Sequence, residues 1–256
     1  MPVWDPKLYL KFGGERTQPA IDLLSRIQLG EPAHIVDLGC GPGNSTELLR
    51  QRWPNADIAG VDNSPSMIEA ARKSRPSGVW LEGEIASWKP SAPCDLVFSN
   101  AALHWLPNHA TLFPALMQDV ALGGVLAVQM PAHFESPVHA AIIEIAEQSP
   151  WRSRMASAQS AIRVERPGFY YDSLQPFVRR IEIWETLYNH VMNGPEAILE
   201  WIRGTGLRPF LEALKDDEER REFTDRYLKK LTATYPRQCD GKVLFPFRRL
   251  FILAHR

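Results

Sequence analysis

The sequence predicts an α/β protein built on a mostly parallel β-sheet with helices on both faces. Over the first 130 residues, short apolar segments alternate with helical patterns. A glycine-rich turn at residues 39–43 follows the first apolar segment and leads directly into a helical pattern. After residue 131, longer helical segments separate one alternating strand from an apolar terminal strand. Strands that alternate with helices are joined by right-handed crossovers and form a parallel sheet.

The elements of the first half follow from apolar periodicity and from the residues that bound it. In chain order we expect a helix at 15–27, a strand at 35–38, a helix at 45–52, a strand at 58–61, a helix at 65–73, strands at 79–81 and 96–98, a helix at 110–120 and a strand at 125–130. Pro54 ends the second helix. Ser64 suits the N-cap of the third helix, and Pro65 suits its first position.

The second half has a different character, because its helical patterns are longer and its strands are fewer. We expect helices at 138–146, 170–177, 195–214 and 217–235, and strands at 181–188 and 250–254. The alternation of apolar and polar residues at 181–188 is typical of a half-exposed strand. Residues 151–166 are polar and basic, without a clear period.

Composition narrows the class of protein. The chain has 256 residues, of which 45% are hydrophobic and 23% charged, and a net charge of −1, so nothing indicates a polyanionic partner. The N-terminal residues do not contain a basic segment followed by an apolar one, so we expect no secretory signal peptide. No apolar run reaches the roughly 20 residues that span a membrane. Cys40, Cys94 and Cys239 are scattered, which predicts neither a metal site nor a disulfide framework and favours a reducing cytoplasm.

The spacing of the glycine turn indicates its ligand. A dinucleotide fold requires G-x-G-x-x-G, and the third glycine position here is Asn44. Asp37 instead begins the pattern D-x-G-x-G-x-G, with Cys40 between the first two glycines, Gly39 and Gly41. This pattern resembles motif I of the class I S-adenosylmethionine (SAM) methyltransferases. SAM carries no phosphate, so close backbone approach and an acid at the strand end suit it better than a phosphate cradle does.

The next strand ends at a second acid. Asp62 lies about 20 residues beyond the glycine turn, the distance expected for a carboxylate that accepts hydrogen bonds from ribose hydroxyls. Asn63 follows it. Met67 falls on the first turn of the next helix, where its thioether can pack on the adenine or simply fill the core.

The resemblance implies further contacts to the cofactor. In these enzymes the loop after the third strand holds the adenine through an acid and the following backbone amide, positions occupied here by Glu84 and Ile85. Asn100, at the end of the fourth strand, would lie beside the methionine end of SAM. Trp4 and Tyr9 could close the cofactor pocket, or could be a surface pair.

A closer resemblance concerns the methyl acceptor. Residues 100–103 lack the Asn/Asp-Pro-Pro-aromatic loop of nucleic-acid amino-methyltransferases, and no basic stripe with interleaved aromatics is present, so we expect a small-molecule acceptor rather than nucleic acid. Several segments look like the trans-aconitate 2-methyltransferase family, namely residues 106–107, 112–114, 126–131, 170–172 and 205–209. The family implies esterification of one carboxylate of trans-aconitate, with S-adenosylhomocysteine as the second product.

The family also implies a Rossmann-like sheet of seven strands within a single methyltransferase domain. We expect its core at 30–133, 168–192 and 241–256, and a helical cap from the C-terminal insertions 134–167 and 193–240. We expect a monomer or a weak homodimer.

A carboxylate acceptor makes specific chemical demands. It is ionised at neutral pH, so no general base is expected and no catalytic acid or base is assigned. Polycarboxylates require cations, and the planar guanidinium binds a carboxylate bidentately. Arg208 and Arg249 are the candidates for this role, and Tyr171, His104 and Trp105 could donate hydrogen bonds or wall the site.

Three other functions stay open at this point. The acceptor could be another small acid or a phenol. The chain could bind SAM without catalysis, as a regulatory subunit would. A nucleic-acid methyltransferase is the third, and salt-dependent binding of RNA or DNA would support it.

Overall fold

A computed structural model describes residues 13–132 and 136–256, with side chains from Thr17 onward. Seven strands form one sheet in the order β3-β2-β1-β4-β5-β7-β6. They are β1 His34–Leu38, β2 Asp57–Asp62, β3 Val79–Glu82, β4 Cys94–Asn100, β5 Val120–Pro131, β6 Arg180–Met192 and β7 Val243–His255. The first five strands pair in parallel, and β7 runs antiparallel to β5. The predicted mostly parallel, seven-stranded fold is therefore confirmed.

Ten α-helices occur in the described residues. They are α1 Gly13–Arg26, α2 Asn44–Arg52, α3 Pro65–Ser74, α4 His109–Gln118, α5 Pro137–Ala146, α6 Ala156–Gln159, α7 Pro167–Leu174, α8 Pro195–Arg203, α9 Arg208–Glu212 and α10 Asp217–Thr234. Short 3-10 turns cover Leu103–Trp105, Arg152–Arg154 and Gln175–Phe177.

The prediction of one helix at 195–214 is wrong, because the segment divides into α8 and α9. Two glycines, Gly204 and Gly206, flank Thr205 at the break, and glycine is a poor helix former. The backbone N–H groups of Thr205 and Leu207 both donate to the carbonyl of Ile202, which closes a tight turn. The last two strands are also longer than predicted, at 13 residues each. In β7 the missed part, residues 243–249, contains Pro246 and two arginines, and proline is unusual inside a strand.

The described chain divides into two compact units. The first contains the residues up to Pro131 with Glu165–Glu185 and Arg249–Arg256. Its core is the middle of the sheet, where Leu38, Val97 and Leu126 are fully buried. These central strands are apolar on both faces, as strands covered by helices on both sides must be. The predicted division into core and cap stays a prediction.

The second unit contains Ala132–Val164 and Thr186–Arg248, and α10 is its longest helix. Asp216 caps α10 by accepting a hydrogen bond from the Glu219 N–H at 3.0 Å. The helix packs against α5 and α8. Its Phe223 also meets the edge of Trp151, in the turn that follows α5, with ring centroids 5.1 Å apart. Among the described residues, no helix is both long and apolar enough to cross a bilayer.

Candidate functional site

The glycine turn leaves β1 at its carboxyl end, the edge where ligands of parallel sheets bind. Gly39 has φ +74°, a conformation that disfavours any side chain. A Cβ placed on Gly39 would lie 2.1 Å from the Cβ of Ala102, so packing also excludes a side chain there. The N–H groups of Gly39 and Cys40 donate to the carbonyl of Val61 at 2.7 and 3.1 Å, which ties the turn to β2.

Asp37 lies in β1 just before this turn and is completely buried. The hydroxyls of Ser45 and Thr46, in the first turn of α2, donate to its Oδ2 at 2.7 and 2.6 Å. Its other oxygen, Oδ1, has no hydrogen-bond partner in the part of the chain that the structure describes. Burial raises the pKa of Asp37 to about 6, against the lowering effect of the two hydroxyls. The carboxylate therefore keeps one oxygen available for a donor.

Asp62 ends β2 and is held by the backbone on both sides. Its Oδ2 accepts from the Gly41 N–H and its Oδ1 from the Ser64 N–H, each at 2.9 Å. Burial raises the pKa of Asp62, the two backbone hydrogen bonds lower it, and the charge of Glu84 raises it. Each carboxylate oxygen retains a lone pair for a further donor, so the group is oriented without being saturated.

Ser64 occupies the N-cap position of α3, as predicted, but its hydroxyl makes no capping hydrogen bond. It lies 3.0 Å from the hydroxyl of Ser66 instead. The prediction of the position was right. The expected cap was wrong, because the two neighbouring hydroxyls pair with each other.

Asn63 connects the end of β2 to the loop after β3. Its side-chain N–H₂ lies 3.2 Å from both carboxylate oxygens of Glu84, to which it donates. The carbonyl of Glu84 accepts from the N–H groups of Ser87 and Trp88, so a short turn begins at this residue. The structure thus brings Asp62, Asn63 and Glu84 together. The Glu84 side chain is exposed, and the Asn63 amide orients its carboxylate.

Cys40 and Met67 are both 3% exposed. The Cys40 side chain packs with Ile68, Ala71 and Trp80, and burial raises the pKa of its thiol. Only the backbone of Cys40 is therefore placed to meet a ligand. Met67 is buried on the first turn of α3, where packing on a ligand and packing in the core both stay open.

Two amides stand at the carboxyl ends of β4 and β5, paired in register. The Oδ1 of Asn100 is buried without a hydrogen-bond partner among the described residues. Gln129 is fully buried, and neither its Nε2 nor its Oε1 has such a partner in the described chain. The sequence prediction missed Gln129, although it is the one polar residue in the apolar run 125–130. A cavity of about 20 Å³ lies between Asn100, the glycine turn and α1.

His104 and Trp105 lie in the 3-10 turn after β4, with ring centroids 4.9 Å apart. His104 is 4% exposed and Trp105 is half-buried. The turn is anchored by His109, whose Nε2 lies 3.0 Å from the carbonyl oxygen of Leu103.

His109 is itself anchored by Tyr170, whose hydroxyl lies 2.8 Å from Nδ1. The Glu165 N–H donates to that hydroxyl at 2.9 Å, which directs the tyrosine proton to Nδ1 and leaves the imidazole proton on Nε2. Burial raises the pKa of Tyr170. The sequence prediction named Tyr171, which is 49% exposed, and missed its buried neighbour and His109.

The two predicted arginines belong to different units. Arg249 is the first residue of β7 that pairs with β5, where it lies opposite Pro131, and it is 6% exposed. Arg208 is the first residue of α9, where its Nε lies 3.6 Å from Glu212. Burial lowers the pKa of Arg208, and Glu212 opposes that shift. Trp4 and Tyr9 lie outside the described residues.

The described residues contain a larger cavity of about 480 Å³ at the opposite edge of the sheet. It is lined by the first residues of four strands, including His34, Asp57, Val79 and Cys94. Ligands of parallel sheets bind at the carboxyl ends, so this cavity is separate from the candidate site.

The strand order, the glycine turn and the acids Asp37 and Asp62 beside it define a class I methyltransferase fold. A protein-family model described as a methyltransferase domain matches residues 35–124. Phosphoethanolamine N-methyltransferase 2 of Haemonchus contortus, solved with S-adenosyl-L-methionine, shares the fold at a TM-score of 0.59 and 14% identity over 96% of this chain and 56% of that one. Coclaurine N-methyltransferase does so at 0.55 and 13%, over 93% and 72%.

Relatives of much higher identity define the family. The chain is 48% identical to a trans-aconitate 2-methyltransferase of Azoarcus sp. (strain BH72) over 100% of both chains. It is 48% identical to one of Rhodopseudomonas palustris (strain BisB18) over 99% of both. It is 44% identical to one of Yersinia pestis (strain Pestoides F), over 100% of this chain and 99% of that one. The chain belongs to the trans-aconitate 2-methyltransferase family, which confirms the resemblance drawn from its sequence.

Proposed function

We propose that this enzyme transfers a methyl group from SAM to one carboxylate of trans-aconitate, releasing a monomethyl ester and S-adenosylhomocysteine. The observation that carries the proposal is full-length identity of 44–48% to relatives with that name. The similarity covers both compact units, and therefore extends well beyond the segment that the general methyltransferase domain matches.

The residues at the carboxyl edge of the first unit fit SAM. A Cβ on Gly41 would meet nothing within 4 Å, so the backbone of the glycine turn is open to a ligand there. The unpartnered Oδ1 of Asp37 suits a positively charged donor such as the methionine ammonium. Asp62, held by two backbone N–H groups, presents its remaining lone pairs to the ribose hydroxyls. Glu84 and the Ile85 N–H would hold the adenine, with Asn63 orienting the acid.

SAM supplies an electrophilic methyl group when it is bound. The protein has a limited task because the acceptor carboxylate is already ionised at neutral pH. No side chain has to remove a proton. The protein must hold the carboxylate in line with the methyl group and exclude water, which otherwise solvates the weak nucleophile. We therefore place no general base at His104, and give it and Trp105 the role of walling the site. Tyr171 stays a candidate for the same role.

The acceptor also needs cationic partners. Arg249 is buried in the middle of β7, opposite Pro131 at the carboxyl end of β5, which favours it as a clamp for a carboxylate that does not react. We propose Arg208 as a second carboxylate clamp, because it lies in the segment 205–209 that resembles the family.

The test is a transfer assay with methyl-labelled SAM. Trans-aconitate should be converted to a labelled methyl ester that base hydrolyses. Other carboxylic acids and phenols, tested as a panel, should incorporate much less of the labelled methyl group. Label that enters a phenol or another acid preferentially would replace the proposed acceptor. Tight binding of S-adenosylhomocysteine without transfer to any acceptor would favour a non-catalytic SAM-binding protein. Transfer to RNA or DNA would revive the nucleic-acid alternative.

Arginine variants test the clamp. Arg249→Ala and Arg208→Ala should each raise the KM for trans-aconitate far more than the KM for SAM. Arg180→Ala is the matched control, since Arg180 is an exposed residue of β6 whose side chain pairs with Glu182. Unchanged acceptor kinetics in both variants would remove the arginines from the proposal without affecting the reaction.

We also propose a cytoplasmic enzyme, because the three cysteines are free thiols and a reducing compartment keeps them so.

A further inference from the structure

The side chain of Gln129 is unusual for a buried amide. It is completely inaccessible, and neither of its polar atoms has a hydrogen-bond partner within the described chain. Buried polar groups are nearly always paired, because an unpaired one forfeits its hydrogen bonds to water. On one side, Gln129 pairs in register with Asn100, and on the other with Phe251, whose ring stacks on Trp184 at 4.8 Å. Within the described residues, the carboxyl end of β5 therefore holds a buried amide whose hydrogen-bonding groups are unsatisfied.

The sheet register places Gln129 in a row of polar residues. Asp37 pairs with Phe98, and Phe98 pairs with Ala127. Side chains alternate along a strand, so Asn100 and Gln129, each two residues further on, point to the same face as Asp37. Three neighbouring strands thus carry, on one face and near their carboxyl ends, buried polar atoms that have no hydrogen-bond partner among the residues the structure describes. Arg249 lies two residues from Phe251 on β7 and faces the same way.

The strand order gives this row a direction. The proposed contacts to adenine, ribose and methionine follow β3, β2 and β1 in turn. β4 and β5 come next in the sheet, and β5 lies roughly 10 Å from β1 at the usual strand spacing. Gln129 therefore lies past the proposed methionine end of SAM, on the side away from the proposed adenine and ribose contacts.

We propose that Gln129 binds the reacting carboxylate, with its Nε2 N–H donating to the carboxylate oxygen that is not methylated. This inference rests on the proposed function and adds a substrate-binding residue to it. In the transfer, the other carboxylate oxygen forms a bond to the methyl carbon. The sulfur–methyl bond breaks with its electron pair going to sulfur, and no proton moves.

A neutral amide suits this position better than a charged group. A guanidinium there would withdraw electron density from an already weak nucleophile, whereas a carboxylate would repel the acceptor. An amide donor fixes the orientation of the carboxylate at little cost to its nucleophilicity. The cationic clamp on the other carboxylates is left to arginine, as Arg249 in the same row allows.

The decisive variant is Gln129→Met, which keeps the length of the side chain and removes its polar atoms. Removing an unsatisfied buried amide should stabilise the free protein, so we expect the Tm to rise by about 2–4 °C. Losing a hydrogen bond to a charged group should lower kcat/KM for trans-aconitate by roughly 10–100-fold. The dissociation constant for S-adenosylhomocysteine should stay within about twofold, because the residue lies beyond the cofactor.

Ser99→Ala is the matched control. Ser99 is also fully buried near the end of β4, but its hydroxyl donates to the carbonyl of Leu38 at 2.8 Å and it points to the opposite face. This variant should lose stability and keep its acceptor kinetics, the reverse of the result expected for Gln129→Met. A second variant, Gln129→Glu, keeps the shape and adds repulsion, so its kcat/KM should fall below that of Gln129→Met.

Each outcome bears on the inference. A Gln129→Met enzyme with wild-type acceptor kinetics would overturn it, as would a variant that loses stability or fails to fold, since the amide would then have had partners to lose. A Gln129→Glu enzyme more active than Gln129→Met would also contradict it. If the wild-type enzyme transfers no methyl group to a carboxylate, the proposed function fails first. If wild type is active and the variants match it, only the role of Gln129 fails.

Discussion

Gly39→Ala is the substitution for which the structure gives the sharpest expectation. Alanine at φ +74° costs about 1–2 kcal/mol of backbone strain. Its Cβ would also lie 2.1 Å from the Cβ of Ala102, and forcing an extra methyl into a packed site costs about 1–3 kcal/mol. Together, these terms predict a loss of about 2–5 kcal/mol in the free energy of unfolding.

The chain supplies its own control for the backbone term. Gly123 has φ +83°, and a Cβ there would meet nothing within 4 Å. Gly123→Ala should therefore cost only the strain, about 1–2 kcal/mol. At about 2–4 °C per kcal/mol for a chain of this size, Gly39→Ala should lower the Tm by about 4–20 °C and Gly123→Ala by about 2–8 °C. Thermal and urea unfolding followed by circular dichroism measure both.

A rescue separates the steric term from the strain. Ala102→Gly removes the atom that the new methyl group would meet, so the double variant Gly39→Ala/Ala102→Gly should recover about 1–3 kcal/mol. The two substitutions should therefore couple favourably in a double-mutant cycle. A Gly39→Ala variant that loses no more stability than Gly123→Ala, or an Ala102→Gly substitution that restores none of it, would refute the steric clash.

Three further predictions concern acids and a tyrosine of the first unit. Asp62→Ala should weaken the binding of S-adenosylhomocysteine by at least about tenfold in calorimetry, because the two hydrogen bonds that we propose from the ribose hydroxyls to its carboxylate would be lost. Folding raises the pKa of Asp37 from 3.8 to about 6, so its ionised form costs the folded state about 3 kcal/mol above pH 6 and nothing below pH 4. Asp37→Asn should therefore raise the Tm of the ligand-free protein at pH 8, and the gain should disappear as the pH falls to 4. Tyr170→Phe should cost about 1–3 kcal/mol, because it leaves the buried Nδ1 of His109 without the tyrosine proton.

Each of these predictions has its own control and contrary result. Asp57→Ala changes an exposed acid at the start of β2 and should bind the cofactor product normally, and normal binding by Asp62→Ala would remove the ribose assignment. A Tm gain for Asp37→Asn that does not vary with pH would show that burial of charge is not its cause. Tyr171→Phe, at an exposed neighbour, should be neutral in stability, and equal Tm values for both tyrosine variants would contradict the anchoring role of Tyr170.

Local features of the chain were sufficient to predict most of the helices and strands near the site. The glycine turn, Pro65 at the start of α3 and the acid after β2 act over a few residues, where covalent geometry and periodicity are decisive. The prediction was wrong where two glycines broke a helix inside an apolar pattern, because periodicity continues through residues 204–206 although the backbone turns there.

Residues that depend on distant partners could not be identified in this way. Tyr170 and Tyr171 are identical in type and adjacent in sequence, yet one is buried against His109, 61 residues earlier, and the other is half exposed. Asn63 also depends on a distant partner, because its amide orients the carboxylate of Glu84, which lies 21 residues later in the chain. Choosing between such neighbours requires knowing which face of an element is covered.

The sequence by itself determined the cofactor class and the fold, because the spacing of Asp37, the glycines and Asp62 is a property of one strand–turn–helix unit and the strand that follows it. Only the tertiary structure decided that Asn100 and Gln129 stand in register, each with buried amide atoms that have no hydrogen-bond partner in the described part of the chain. The register of β4 and β5 joins residues about 30 positions apart, so the pattern of either segment alone does not show which residues stand opposite each other. The polar row that we propose faces the acceptor therefore emerges only when the sheet has formed.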